Sequence, residues 1–370
     1  MKSVAGITFH ASHNYGSVLQ AYALQTAVQA LGAKYEILNF RTARQIDLYT
    51  VFTKRKGLKY LLKNASHAVY YPDLHRKWER FEAFIHNRLA LSAKTFSSLE
   101  ELEAAKLSYD CYIAGSDQIW NPVPADFDWA YYLPFVREGR RIAYAPSFGQ
   151  LASVGEGETT DRIRRALLQF DALSAREIAA KEKIYTLIGR EAALVLDPTL
   201  LLPEEKWNAV CAPGRVQDED YIFLYTLFAD PGIIRMAKTL SKKLGLPIVT
   251  SNFSNQYDVF TPFKKRFDAG PEEFLNLIQN AKMVLTSSFH GTVFSILYHR
   301  PFLSIRGLSD ARISSLLEIC GLSDRVVTEQ SVNQMDDRIF SCDFSAARRA
   351  LETSRAESLA YLKSALQLEG

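Results

Sequence analysis

VAGITF (residues 4–9) is followed at once by HASHNYGS (residues 10–17), and then by a stretch up to Leu31 in which apolar side chains recur at helical spacing. This order predicts a β-strand, a polar loop and an α-helix. We expect Ser17 to be the N-cap of the helix and Gly32 to close it in a left-handed conformation. The strand is apolar on both faces, which is typical of a parallel strand covered by helices. The stretch therefore indicates an α/β fold.

The same alternation of short apolar runs and helical patterns continues along the chain. It predicts further parallel strands at 35–40, 109–114, 141–145, 172–174, 193–196, 221–227, 247–250, 283–287 and 301–305. A polar interval with Pro and Gly near 211–214 separates the two groups of strands. We expect two Rossmann-like domains with parallel sheets that face a central cleft. They are an N-terminal domain on the acceptor side over 1–205, a C-terminal domain on the donor side over 206–340, and a C-terminal helix within 341–370 that packs back on the first domain.

Composition limits the class of protein. The chain has 370 residues, of which 48% are hydrophobic, so each domain has enough apolar material to bury a core. A net charge of only +3 gives no reason to expect a nucleic-acid partner. The four cysteines are widely spaced and form no C-x-x-C pair, which argues against a zinc cage and favours a reducing compartment. With no signal-peptide pattern and no long apolar run, we expect a cytoplasmic protein.

Positive charge is concentrated in one segment. Residues 41–90 carry 11 basic and 4 acidic side chains, and aromatic residues are interleaved with the basic ones over 54–88. One interpretation is a peripheral contact with the inner face of an anionic membrane, where the protein would meet a lipid-linked saccharide. The other, more common for charge runs, is a solvated helical face above a local core.

Polar side chains follow the first strand, just before a helix begins. His13, Asn14, Gly16 and Ser17 lie in this loop. Open α/β sheets bind ligands at such positions, and the N–H groups of a helix N-terminus favour an anion. A tight turn with a capping serine is the alternative.

The strand at 283–287 also runs into a polar segment and a helix, through Ser287, Ser288 and His290. Two hydroxyls and an imidazole at the end of a strand suit acid–base chemistry, and a structural histidine is the alternative. Arg176 directly follows a strand and Arg312 begins a helix, positions that suit anion binding. The alternative for each is an ordinary ion pair, which for Arg312 is the more common case.

A third polar segment follows the strand at 109–114. It contains Ser116, Asp117, Gln118, Trp120 and Asn121. An indole with carboxylate and amide neighbours suits stacking on a sugar and hydrogen bonding to its hydroxyls. Trp120 could equally fill the core while Asp117 caps a turn.

Several patterns that identify common enzymes are absent from the sequence. There is no G-x-G-x-x-G, Walker A, H-E-x-x-H or G-x-S-x-G. This disfavours a dinucleotide or P-loop nucleotide site, a zinc enzyme and a serine hydrolase. No metal site is predicted.

Six segments, in order along residues 3–325, resemble the polysaccharide pyruvyl transferase family. They are NYGS (14–17), AGSDQIWN (114–121), YAPSFG (144–149), SARE (174–177), DPTLL (197–201) and SSFHG (287–291). The resemblance implies a GT-B-like pair of Rossmann-like domains with the active site between them. It also implies transfer of the pyruvyl unit of phosphoenolpyruvate to two hydroxyls of a sugar, which forms a cyclic ketal without a further cofactor.

The resemblance also implies roles for particular residues. His290 matches the catalytic histidine of the family, and Arg176 matches an arginine of the phosphoenolpyruvate site. Many members have Arg-Leu-His where this chain has Ser288-Phe289-His290, and many have Asp in place of Ser17. The arginine missing at position 288 is a cationic anchor that Arg176, Arg312 or a helix N-terminus would have to replace.

The chemistry of pyruvyl transfer determines which groups we expect in the active site. Protonation of C3 of phosphoenolpyruvate makes C2 electrophilic, so an acid and then a base are needed, and an imidazole can serve as both. Our hypothesis is His290 as acid and base, with Arg176, Arg312, Ser287 and Ser288 holding the donor. The two polar segments of the N-terminal domain would supply contacts to the acceptor or within their own loops: His13, Asn14, Gly16, Ser17, Ser116, Asp117, Gln118, Trp120 and Asn121.

Two other functions remain open at this point. One is a GT-B-like glycosyltransferase that uses a nucleotide sugar. The other is a non-catalytic saccharide-binding relative that has kept the fold and lost the donor pocket, which the missing arginine at position 288 would explain.

Overall fold

The structure is a computed structural model that describes residues 1–54, 56–149, 157–227, 230–252, 261–305, 310–335 and 341–368. Arg55 of the basic segment lies outside the described residues. Within these ranges no helix has the length and apolar character needed to cross a membrane.

Helices and short parallel strands alternate along the chain. The strands are β1 (Ser3–Ile7), β2 (Lys34–Phe40), β3 (Leu91–Phe96), β4 (Cys111–Ala114), β5 (Arg140–Ala143), β6 (Ser174–Ala175), β7 (Ala193–Leu194), β8 (Ile222–Tyr225), β9 (Ile248–Thr250), β10 (Lys264–Lys265), β11 (Met283–Thr286), β12 (Phe302–Ile305) and β13 (Val326–Val327). The helices are α1 (Tyr15–Ala30), α2 (Ala43–Tyr49), α3 (Leu58–Val69), α4 (Tyr71–Arg88), α5 (Leu99–Ala104), α6 (Glu158–Leu167), α7 (Ile178–Ile188), α8 (Glu204–Asn208), α9 (Pro231–Leu244), α10 (Pro271–Gln279), α11 (Phe289–Leu297), α12 (Ala311–Cys320), α13 (Glu329–Gln334) and α14 (Ser345–Ala365).

The chain forms two compact units, each with one main sheet. Unit 1 comprises 1–49, 85–202 and 352–370, and unit 2 comprises 50–84 and 203–351. The sheet of unit 1 has the order β3-β2-β1-β4-β5, and that of unit 2 the order β10-β9-β8-β11-β12-β13, with every pair parallel. The first strand of each unit lies inside its sheet and the order reverses there, as in Rossmann-like folds. The predicted α/β fold with two Rossmann-like halves is confirmed.

The register of the parallel strands places the polar loops that follow them at one edge of each sheet. In unit 1, Ile7 of β1 pairs with Ala114 of β4, so the loops after these two strands begin side by side. In unit 2, Thr286 of β11 pairs with Tyr225 of β8. All four strands are parallel and buried, so their carboxyl ends lie together at one edge of each sheet.

The first helix starts three residues earlier than expected. The side chain of Asn14, not Ser17, accepts a hydrogen bond from the backbone N–H of Gly16 (3.0 Å), and α1 begins at Tyr15. Asparagine is as good an N-cap as serine. Gly32 ends the helix with a φ of 89°, the left-handed conformation that the sequence predicts.

Residues 50–84, which carry most of the basic segment, belong to unit 2, so the first unit is not continuous over 1–205 as we expected. Arg80 of α4 donates to Asp268 Oδ2 (2.8 Å) and forms an ion pair with Glu273 (3.2 Å). Nearby, Tyr70 packs its ring edge to face with Phe267, with ring centroids 5.1 Å apart. These partners are nearly 200 residues away in sequence, so no local pattern could reveal the contact.

The C-terminal helix α14 packs on unit 1 from Glu352 onward. Arg355 donates to the carbonyl of Leu200 (2.8 Å), and the hydroxyl of Tyr361 donates to the carbonyl of Ala143 (2.9 Å). These hydrogen bonds attach the end of the chain to β5 and to the 3₁₀ turn Pro198–Leu200.

Candidate active site

In unit 1 the first turn of α1 is joined to the loop after β4 by a short hydrogen bond. The hydroxyl of Ser17 donates to Asp117 Oδ2 at 2.6 Å, and both side chains are buried. Asp117 has a φ of 77°, and its other carboxylate oxygen accepts from the N–H of Gln118 (2.8 Å). Asp117 thus fixes a turn, which is the structural interpretation that the sequence left open.

Arg176 lies in a buried network of carboxylates. Its Nη1 atom is 2.5 Å from Asp197 Oδ2, and its side chain is only 1% exposed. Asp117 and Glu177 are each 3.6 Å from other guanidinium nitrogens. Burial disfavours the charged form, but the three carboxylates raise the pKa of Arg176 above its ordinary value. This charge is already balanced inside the protein, so the geometry favours an ion-pair role over donor binding.

Ser116 is part of the same network. Its hydroxyl lies 3.0 Å from Asp197 Oδ2 and 3.1 Å from the carbonyl of Ala145, and the side chain is completely buried. Asp197 also accepts from the N–H and hydroxyl of Thr199. The predicted acceptor contact at Ser116 is therefore replaced by an internal one.

Trp120 is a core residue. Its side chain is completely buried, and its ring stacks on Tyr132 with centroids 5.3 Å apart. The rings of Phe148 and Phe170 pack against it, and its Nε1–H donates to the carbonyl of Tyr131 (3.3 Å). Of the two roles that the sequence left open, the structure therefore supports the core role for Trp120, because no face of the indole is available for stacking.

Gln118 and Asn121 hold each other across a tight loop. Asn121 Nδ2 donates to Gln118 Oε1 at 3.0 Å. Gly149 lies against both with a φ of 65°, and a Cβ atom there would lie 2.3 Å from Asn121 Nδ2. The left-handed conformation at 149 therefore favours glycine, and a side chain there would also have to displace the amide groups of Asn121 and Gln118.

A polar cluster around Asp126 lies beside the first loop. Asp126 Oδ2 accepts hydrogen bonds from the hydroxyls of Tyr49 (3.0 Å) and Ser12 (3.3 Å). Burial raises the pKa of Asp126 above its ordinary value, although both hydrogen bonds lower it. His13 stacks on Tyr49 with ring centroids 5.7 Å apart and is partly exposed. The raised pKa of this aspartate depends on tertiary packing.

In unit 2 the end of β11 is tied to the end of β8. The hydroxyl of Thr286 donates to the carbonyl of Tyr225 (2.7 Å), and the N–H of Leu227 donates to Ser287 Oγ (3.3 Å). Ser288 is the N-cap of α11, with its Oγ accepting from the N–H of Gly291 at 3.5 Å. Because the cap uses Ser288 as an acceptor, its O–H remains able to donate.

His290 lies in the first turn of α11, as the sequence predicts. Its side chain is 7% exposed, and the ring of Phe289 packs edge to face with it at 5.1 Å. The guanidinium carbon of Arg312 is 5.9 Å from the centre of the Phe289 ring. Arg312 is paired with Asp310 through Nη2 (2.6 Å) and Nε (2.9 Å). His290 and Arg312 thus both lie near the Phe289 ring, with Asp310 offsetting part of the cationic charge.

Gly291 allows α11 to approach the strands closely. A Cβ atom there would lie 2.3 Å from Thr286 Oγ1 and 3.1 Å from the ring of Tyr225. Such contacts do not occur between real atoms, so a glycine is needed directly after His290. It sets the position of the imidazole relative to β11.

Lys77 supplies a cation near this edge that the sequence analysis placed in the other domain. It donates to the carbonyl of Ser251 (3.3 Å), just after β9. Burial lowers the pKa of Lys77 to about 8, although Asp268 opposes the shift. Strands β9, β8 and β11 are neighbours, so the ends of β9 and β11 are roughly 10 Å apart. Lys77 therefore lies near the loop that carries His290.

The structure collects the predicted residues into two groups. Ser17, Ser116, Asp117 and Arg176 form one network in unit 1, while Ser287, Ser288, His290 and Arg312 lie at the carboxyl edge of the sheet in unit 2. Among the described residues, no group of three or more His, Cys, Asp or Glu side chains could hold a metal ion.

Solved structures with a similar fold cover nearly the whole chain. A putative UDP-N-acetylglucosamine 2-epimerase from Listeria monocytogenes has a TM-score of 0.59 at 11% identity, over 100% of this chain and 97% of that one. Staphylococcus aureus MnaA with UDP has a TM-score of 0.57 at 12% identity, over 100% and 98%. UDP-GlcNAc 2-epimerase from Neisseria meningitidis, bound to UDP-GlcNAc, has 0.54 at 12%, over 98% and 100%. At these identities the likeness shows a GT-B type of fold alone.

Sequence comparison gives the family. No curated protein sequence matches the chain. The family model described as polysaccharide pyruvyl transferase matches residues 14–308, which is most of the chain. The matched range contains the buried network around Arg176, the capped turn at Ser288 and His290. This protein belongs to the polysaccharide pyruvyl transferase family.

Proposed function

We propose that the protein transfers the pyruvyl unit of phosphoenolpyruvate to two hydroxyls of a sugar, in a surface polysaccharide or its precursor, and releases phosphate. Family membership supports pyruvyl transfer. The observation that carries the proposal in this chain is the position of His290, in the first turn of α11 at the carboxyl edge of the unit 2 sheet. Ligands of open α/β sheets bind at this edge.

His290 is the proposed acid and base. As an imidazolium it gives a proton to C3 of phosphoenolpyruvate, and the first sugar hydroxyl adds to C2 and loses its proton to the imidazole. The C2–O bond to phosphate then breaks, and the second hydroxyl adds to C2, with its proton leaving on the phosphate. The products are one ketal and one phosphate, so atoms and protons balance. General acid–base catalysis of this kind contributes about 10²- to 10⁴-fold in rate.

Many family members have an arginine where this chain has Ser288. The carboxylate and the phosphate of the donor therefore need other partners here. The N-terminus of α11 offers backbone N–H groups and the positive end of the helix dipole, and the Ser288 hydroxyl adds a donor. Lys77 and Arg312 are the nearby cations that we assign to the donor, Lys77 by its place beside β9 and Arg312 by its place over Phe289. Arg176 is not assigned to the donor, because three carboxylates surround it.

Asp126 is the residue of unit 1 that we assign to the acceptor. Its carboxylate is partly exposed, with the hydroxyls of Ser12 and Tyr49 orienting one oxygen. Carboxylates commonly accept hydrogen bonds from sugar hydroxyls, and the raised pKa makes this one a better proton acceptor than an ordinary aspartate. The partly exposed His13 ring lies at the same place, against Tyr49.

The main rival is a glycosyltransferase-like use of a nucleotide sugar, because two of the structural neighbours hold UDP or UDP-GlcNAc. Thermal unfolding with each ligand separates the two functions. We expect phosphoenolpyruvate to raise the melting temperature and UDP to leave it unchanged. Phosphate release from phosphoenolpyruvate should then require a saccharide acceptor. Stabilisation by UDP alone, with no phosphate release on any acceptor, would overturn the proposal.

A further inference from the structure

Helix α3 turns its apolar side chains toward solvent. Leu58, Leu61, Leu62 and Val69 are 72%, 66%, 50% and 63% exposed. Their spacing of three, four and eleven residues from Leu58 places them on one face of the helix. Large apolar side chains exposed together in this way are uncommon on monomeric proteins and mark interaction sites.

The opposite, polar face of α3 is hydrogen-bonded to the preceding residues 51–53. The side-chain amide of Asn64 accepts from the N–H of Thr53 (3.1 Å) and donates to its carbonyl (3.0 Å). His67 Nδ1 is hydrogen-bonded to the carbonyl of Val51 (2.6 Å). A surface helix ordinarily buries its apolar face. Here the face that is hydrogen-bonded to the preceding loop is polar, and the apolar face is exposed.

The surroundings of this face are positively charged. Residues 48–72 contain five basic residues (Lys54, Arg55, Lys56, Lys59 and Lys63) and no acidic one. Lys54, Lys56 and Lys63 are exposed. An apolar stripe beside cations is the arrangement that binds the boundary of an anionic lipid layer.

Aromatic rings continue along the same segment. Phe52 stacks on Tyr71 (5.3 Å), Tyr71 contacts His75 (5.4 Å), and His75 contacts Trp78 (6.2 Å), all measured between ring centroids. Phe52, Tyr71 and Trp78 are each about 40% exposed. Tyrosine and tryptophan are enriched where protein meets the headgroups of a membrane.

We propose that the outward face of α3, with its flanking lysines, binds the surface of an anionic lipid bilayer. A second copy of the chain is a poorer occupant, because a two-fold contact would bring this positively charged segment against itself. An anionic bilayer supplies the opposite charge together with an apolar layer for the leucines. The proposal is independent of which donor the enzyme uses.

Vesicle co-sedimentation of the full-length protein tests this surface. Vesicles of phosphatidylcholine are compared with vesicles that also contain phosphatidylglycerol, at low and high salt. We expect binding only with phosphatidylglycerol, and less of it at high salt. The double variant Lys56→Glu/Lys63→Glu should bind at least about 25-fold more weakly, at roughly five-fold for each lysine. Leu61→Ser/Leu62→Ser should weaken binding about ten-fold or more, through lost apolar burial.

Matched controls use exposed residues of the same types elsewhere. Leu168→Ser in unit 1 and Lys238→Glu/Lys242→Glu on α9 should bind vesicles like the wild type. The proposal is overturned if phosphatidylglycerol does not promote binding, or if the control variants lose as much binding as the α3 variants. It is also overturned if the leucine variant changes only the oligomeric state, measured by analytical ultracentrifugation.

Discussion

The guanidinium of Arg176 lies 2.5 Å from Asp197 Oδ2, completely shielded from solvent, with Ser116 hydrogen-bonded to the same oxygen. The ion pair joins the loop after β6 to the turn that follows β7. It also joins two of the segments that carry the family resemblance, SARE and DPTLL, through one structural contact. The finding supports a structural role for Arg176 rather than a role in donor binding.

Replacement of Arg176 by methionine should destabilise the protein by about 3–5 kcal/mol, because it leaves buried carboxylates without their cation. Chemical denaturation measures the change. The double variant Arg176→Met/Asp197→Asn should lose less than the sum of the two single variants. If R176M were as stable as the wild type and had lost only its affinity for phosphoenolpyruvate, Arg176 would have to be a donor-binding residue.

Replacement of Trp120 by alanine should cost about 3–5 kcal/mol of stability, because the indole fills the aromatic core between Tyr132, Phe148 and Phe170. Trp120→Phe should keep the acceptor KM of the wild type at a smaller loss of stability. A W120F protein with normal stability and a large rise in acceptor KM would mean that the ring contacts the sugar.

Lys77 should make donor binding depend on pH. Its pKa of about 8 means that it is charged below that pH and neutral above it. The affinity for phosphoenolpyruvate should therefore fall as the pH rises through about 8. Isothermal titration calorimetry with phosphoenolpyruvate, from neutral to alkaline pH, measures this change in affinity. Lys77→Arg should remove this fall, because arginine stays charged, and Lys77→Met should bind weakly throughout. Identical pH profiles for the wild type and K77R would exclude Lys77 from the donor site.

Gly291→Ala should lower stability by about 1–3 kcal/mol through overpacking against Thr286 and Tyr225. Activity should fall further than stability predicts, because α11 carries His290. The added variant Thr286→Ala makes space for the new methyl group. A double-mutant cycle should show favourable coupling between the two changes. If the stability changes of the two single variants simply add in the double variant, the methyl group at position 291 does not clash with Thr286.

The strands of the fold were predictable where both faces are apolar. β1, β8 and β11 are buried along nearly their whole length, and their sequences are correspondingly rich in apolar residues. β3 was not predicted, because it is an edge strand whose central residues are exposed and polar. The assignment of residues 50–84 to unit 2 depends on contacts such as Arg80 with Asp268, which no local pattern encodes.

The site was predictable only in part, for a similar reason. The hydroxyls and the imidazole at 287–290 follow a recognisable strand, so their place at the sheet edge follows from the sequence. Trp120 could be assigned neither to the core nor to a sugar until its neighbours were known. Lys77 and Asp126 owe their shifted pKa values to burial by distant segments, and sequence spacing carries no record of that.

The central claim is that His290 moves protons during pyruvyl transfer from phosphoenolpyruvate. The most direct measurement is acceptor-dependent phosphate release by the wild type and His290→Gln, with the exposed His86→Gln as the matched control. We predict that H290Q keeps the wild-type melting temperature and phosphoenolpyruvate affinity but loses about 10²-fold or more in kcat, while H86Q stays active. Turnover of H290Q close to that of the wild type would contradict the account.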